Sequence, residues 1–95
     1  VRWRTYVGPT RAVMTVAIIG AGPSGLATAK EMLRRDLDPV VFESADVLGG
    51  LWVPGRPPMW EGMRTNISRF TNVFSDYPHG PGSPLFLNVP QMHAY

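Results

Sequence analysis

The stretch Ile18-Ile19-Gly20-Ala21-Gly22-Pro23-Ser24-Gly25 decides how this chain folds. It sets the end of a mostly β-branched run, Val16-Ala17-Ile18-Ile19, directly against a glycine turn and a proline. A short apolar run bounded by glycine predicts a strand buried on both faces, the first of a parallel sheet. The period then changes. Leu26, Ala29, Met32 and Leu33 fall on one helical face and Lys30, Glu31, Arg34 and Arg35 on the other, which predicts an amphipathic helix from Pro23 to Arg35. Asp36-Leu37-Asp38-Pro39 breaks that helix, and Val40-Val41-Phe42-Glu43 reads as a second strand. The result is a strand–helix–strand unit of about thirty residues.

The three glycines of Gly20-x-Gly22-x-x-Gly25 have separate tasks. Gly20 allows the tight turn out of the strand, Gly22 lets backbone approach a pyrophosphate with no Cβ in the way, and Gly25 lets the helix pack close to the sheet. Pro23 and Ser24 open the helix, whose free N–H groups and about half a positive charge face the same place. A GxGxxG by itself is weak evidence. This one follows a predicted strand, opens a predicted helix and is followed eighteen residues after Gly25 by Glu43 at the end of the second strand. Gly20, Gly22, Pro23, Ser24, Gly25 and Glu43 are therefore the expected binding residues for a dinucleotide. A carboxylate at position 43 accepts from ribose hydroxyls and repels a 2′-phosphate, and no arginine follows closely to offset it. FAD or NAD fits this site and NADP does not; a solvated glutamate at a strand end is the plainer alternative.

Composition limits the rest. At 95 residues there is room for one small domain, and 44% apolar with 17% charged residues describes neither a disordered polyelectrolyte nor a membrane span. Nine basic and seven acidic residues are scattered, with Arg34-Arg35 at a helix end, so no nucleic-acid partner is expected; Trp3, Tyr6, Trp52 and Trp60 lack a basic stripe beside them. The absence of cysteine excludes disulfides, thiolate metal sites and dithiol redox chemistry. His79 and His93 have no second ligand at metal spacing, so no metal is expected. Residues 1–13 carry three arginines and no acid, without the apolar core of a secretory signal, and read as an unstructured extension. Residues 49–62 and 78–84 are rich in glycine and proline and predict a loop-rich carboxy-terminal half. Asn88-Val89-Pro90 reads as a capped helix start.

At Glu43-Ser44-Ala45-Asp46-Val47-Leu48-Gly49-Gly50-Leu51-Trp52 the chain resembles the flavin-containing monooxygenases, in which a Gly-Gly turn after the second strand passes close to FAD. Met63-Arg64-Thr65-Asn66 and Phe74-Ser75-Asp76-Tyr77-Pro78 are similar to two further blocks of that family at matching separation. Trp60, Met63 and Phe70 depart from the family's usual residues but keep or add apolar character.

The resemblance implies an α/β fold, an incomplete Rossmann-like FAD/NAD(P)-binding βαβ unit, with residues 14–95 forming the amino-terminal part of an FAD-binding domain. It adds Gly50, Leu51 and Trp52 to the cofactor residues. It also places Asn66 beside the flavin ring, in support of its oxygenated form, where a turn-forming asparagine is the structural alternative. The implied activity is an NADPH-dependent oxygenation of a small molecule carrying a soft nitrogen or sulfur nucleophile or a carbonyl. The family's second glycine fingerprint, for NADPH, does not occur in these 95 residues. Two alternatives stay open: a non-catalytic fragment with at most dinucleotide binding, or the start of another flavoprotein with two dinucleotide domains.

Overall fold

The computed structural model describes residues 4–7 and 14–95, and divides into two units, residues 1–50 and 51–95. In the first unit three strands, β1 (Arg4–Val7), β2 (Thr15–Ile19) and β3 (Asp38–Glu43), form one sheet in the order β1-β3-β2, and the helix α1 (Pro23–Leu33) joins β2 to β3. β2 and β3 are parallel, with Ala17 opposite Val40 and Ile19 opposite Phe42. This is the strand–helix–strand unit expected from the glycine turn, a small α/β arrangement that fits part of a Rossmann-like sheet.

Three details differ from the sequence reading. Arg4–Val7 is a strand, antiparallel to β3 with Tyr6 opposite Val41, so the unstructured extension does not hold there. The other residues of 1–13 lie outside those described. Next, α1 stops at Leu33 because the chain turns left-handed at Asp36, with φ 56°. The Asp36 N–H then donates to Leu33 and the Leu37 N–H to Met32, the paired bonds of a Schellman motif. Finally, β2 is not buried on both faces: Ile18 is buried, but Ile19 is 73% exposed. Among the described residues α1 covers one face of the sheet, and nothing lies over the other at Ile19.

The core of this unit is small. Ile18, Ala21 and Val41 are buried together, with Ala29 of α1 and Leu48 packed against them. Leu26 and Leu33, predicted on the apolar face of α1, remain 39% and 43% exposed. β3, the central strand, carries Pro39 near its start. The Asp38 N–H donates to Met14 and the Phe42 carbonyl accepts from Gly20, so even-numbered residues of β3 address β2 and odd-numbered ones address β1. Pro39, which has no N–H, therefore faces the β1 side, one step past the last pair, Val7–Val40.

The second unit is loop-rich, as its prolines and glycines predict. Its one α-helix among the described residues is α2 (Val89–Ala94), capped as read from sequence: Asn88 Oδ1 accepts from the Gln91 N–H and Gln91 Oε1 accepts from the Asn88 N–H, both at 2.9 Å. Arg69 donates to the carbonyls of Gly80, Pro81 and Ser83 and so ties down the loop they form. The Tyr95 ring stacks on Phe74 and packs at a tilt against His79, and its hydroxyl bridges the Phe74 N–H and the Tyr77 carbonyl. No helix among the described residues is long and apolar enough to cross a membrane.

Candidate dinucleotide-binding site

The turn between β2 and α1 is shaped residue by residue. Gly20 has φ 94°, a conformation side chains rarely adopt, and its N–H donates to Phe42 at the end of β3. Ala21 is fully buried; its N–H donates to Glu43 Oε2 at 2.7 Å and its carbonyl accepts from the Gly49 N–H at 2.9 Å. Gly22 is the N-cap of α1 and brings no side-chain cap, and Pro23 occupies the first turn. Leu26 N–H donates to the Gly22 carbonyl, which is the first bond of the helix. By helix geometry this leaves the N–H groups of Gly22, Ser24 and Gly25 open at one end of the helix axis, Pro23 having none. Three amides on a positive helix terminus are suited to an anion.

The glycines test what that opening is for. A Cβ on Gly25 would lie 2.0 Å from the Gly20 carbonyl oxygen, so this glycine serves the packing of α1 against the turn. A Cβ on Gly50, at φ 59°, would come within 2.9 Å of the Gly22 Cα, so Gly50 serves a backbone-to-backbone contact. Gly22 is different. Its φ of −76° is open to any residue, and a Cβ there would meet only Gly50 at an ordinary 3.7 Å. The fold does not need glycine at position 22, and glycine there leaves the open amides uncovered by any side chain of that residue.

Glu43 stands beside the same turn, 7% exposed. Its Oε2 accepts from Ala21, and its Oε1 accepts from the Ala45 N–H at 2.7 Å and the Ser44 hydroxyl at 3.3 Å. The Ala21 and Ala45 amides hold the carboxyl below its ordinary value; burial pushes the other way and is outweighed, and Ser44 adds a smaller pull downward. The group is a charged acceptor, and a carboxylate's four lone-pair positions leave Oε2 with room for one more donor. A solvated strand-end glutamate is not what the structure holds.

The first unit thus brings together Gly20, Gly22, Pro23, Ser24, Gly25, Glu43 and Gly50. Leu51 and Trp52 follow Gly50 in a single turn of 3₁₀ helix, with Leu51 exposed and Trp52 half-buried. Asn66 belongs to the second unit and is exposed in a bend. Thr65 before it is buried, with its N–H donating to the Leu87 carbonyl and its hydroxyl accepting from the Leu87 N–H. Sequence reasoning missed Ala21, Ala45 and Gly49, which fasten the turn to the segment after β3. The small side chain at the variable position between Gly20 and Gly22 was the available signal for the first. No group of three or more His, Cys, Asp or Glu side chains able to hold a metal occurs among the described residues.

Residues 13–95 match the family described as FMO-like, flavin-binding monooxygenase-like. Flavin-containing monooxygenase 5 of Oryctolagus cuniculus is 41% identical over 86 residues, which are 84% of this chain and 16% of that protein. Flavin-containing monooxygenase 3 of Rattus norvegicus is 36% identical over the same shares, and dimethylaniline monooxygenase (N-oxide-forming) 4 of Homo sapiens is 37% identical over 84% of this chain and 15% of its own length. No solved structure matches. The chain spans about a sixth of the length of the curated relatives it matches, 15–17%. Likeness along nearly every described residue, glycine turn included, makes the chain a member of the flavin-containing monooxygenase family, carrying its amino-terminal segment.

Proposed function

We propose that this segment binds FAD and is the FAD-binding portion of an NADPH-dependent monooxygenase acting on small molecules with a soft nitrogen or sulfur nucleophile or a carbonyl. The observation that carries the reading is Gly22, a glycine the fold does not require, set at three open amides of a helix terminus. The Gly22, Ser24 and Gly25 N–H groups donate to diphosphate oxygens, and the helix end adds its partial positive charge. The remaining acceptor position on Glu43 Oε2 takes a ribose hydroxyl, and the carboxylate's charge disfavours a 2′-phosphate. Gly50 flanks the cofactor, and the likeness to the flavin-containing monooxygenases extends the assignment to Leu51, Trp52 and Asn66. When bound, FAD supplies the redox chemistry that connects NADPH, dioxygen and substrate, while the protein positions it and shields it from water.

Gly22→Ala tests this. The variant should unfold at the wild-type temperature yet bind FAD at least about tenfold more weakly, the loss expected when charge-assisted bonds to the amides are pushed out of reach. Unchanged FAD affinity, by flavin fluorescence titration, would refute the phosphate assignment. A second reading, that this chain by itself binds a dinucleotide without turning over, is favoured by the half-exposed apolar face of α1 and by Ile19. NADPH oxidation by the chain alone would exclude that second reading.

A further inference from the structure

Glu43 makes two backbone bonds that no nucleotide is needed to explain. Ala21 sits in the glycine turn and Ala45 in the loop after β3, and their N–H groups converge on opposite oxygens of one buried carboxylate, each at 2.7 Å. The Gly49 N–H closes the same loop onto the Ala21 carbonyl at 2.9 Å. Both backbone groups of Ala21 are thereby committed to the segment between residues 43 and 49, and Ala21 is fully buried. Two convergent N–H donors demand an acceptor with two equivalent oxygens; a carboxamide supplies one oxygen and turns its NH₂ toward the other donor.

We propose that Glu43 is a positioning residue that sets the shape of the glycine turn before any nucleotide is present. This rests on the dinucleotide reading for its purpose but not for its geometry. The carboxylate clamps the turn at Ala21 and the following loop at Ala45, so the open amides of Gly22, Ser24 and Gly25 stand in a fixed place relative to Gly50. Ordering of the turn is then complete before binding, and its entropy is not charged to FAD affinity.

Amide hydrogen exchange of the full chain, free of nucleotide, tests the clamp. In the wild type the Ala21 and Ala45 amides should be protected to the degree of Gly20, whose N–H is bonded to Phe42. In Glu43→Gln at least one of the two should exchange about tenfold faster or more, while Gly20 and Val41 keep their protection. Should the Gln variant fail to fold, Glu43→Asp, which keeps the charge but shortens the reach, should show the same local loss. FAD affinity of the variants should rank in the order of their turn protection. Loop-like exchange of both amides in the wild type, or unchanged exchange in a folded variant, overturns the proposal. If FAD binding weakens while nucleotide-free exchange is unmoved, Glu43 acts on the ribose alone: the clamp fails and the nucleotide reading stands. The reverse result, a clamp in a chain that never binds FAD, sinks the nucleotide reading and leaves the clamp.

Discussion

Among single residues, Glu43 concentrates most of what is unusual in this chain: a buried charge satisfied by two amides and a hydroxyl. Its carboxyl is held below its ordinary 4.5 when folded, so between the two values the unfolded chain binds the extra proton. Stability then rises with pH across that window. The contribution is fully present above pH 4.5 and is lost as the pH falls through the lowered value. Denaturant unfolding below pH 4.5 should show a steeper loss of stability in the wild type than in Glu43→Gln, which has no carboxyl to protonate; equal slopes would contradict it. The role of this side chain was half legible in the sequence. Its distance from Gly25 and its place at a strand end single it out as a residue beside the glycine turn, but its bonds to Ala21 and Ala45 depend on how the turn folds back over β3.

Secondary-structure elements were legible where local pattern and tertiary setting agree. β2, α1 and β3 follow from an apolar run, a change of period and a second apolar run, and α2 from its capping signature. Where the setting decides, the sequence was silent. Arg4–Val7 becomes a strand only because β3 offers it an edge, and α1 ends two residues early because Asp36 adopts a left-handed conformation that asparagine or glycine would have advertised. Burial was misjudged for one reason: Ile19 and Leu26 are apolar, but the described elements leave their sides of the sheet and helix uncovered. The cap of α2 can be tested directly. Asn88→Ala removes the acceptor for the Gln91 N–H and should cost about 1 kcal/mol in denaturant unfolding.

For the whole molecule, folding and ligand binding should be coupled. A core of Ile18, Ala21 and Val41 is small, and the turn it supports is the one proposed to hold FAD. FAD present at a hundredfold its Kd should raise the unfolding free energy by about 2.7 kcal/mol, visible as a concentration-dependent rise in Tm. NADP at the same concentration should raise it less, because in the proposed site its 2′-phosphate would meet the Glu43 carboxylate. An equal rise with both would mean that the glycine turn recognises diphosphate without reading the sugar.

Pro39 has a consequence for the fidelity of strand pairing. Were β1 to slip along β3 toward the start of that strand, it would reach a residue with no hydrogen to donate; slipping the other way, it would run past Glu43 into a segment already folded back on the glycine turn. A four-residue edge strand has few contacts with which to choose its own alignment. Its neighbour chooses for it, by being unable to pair anywhere else.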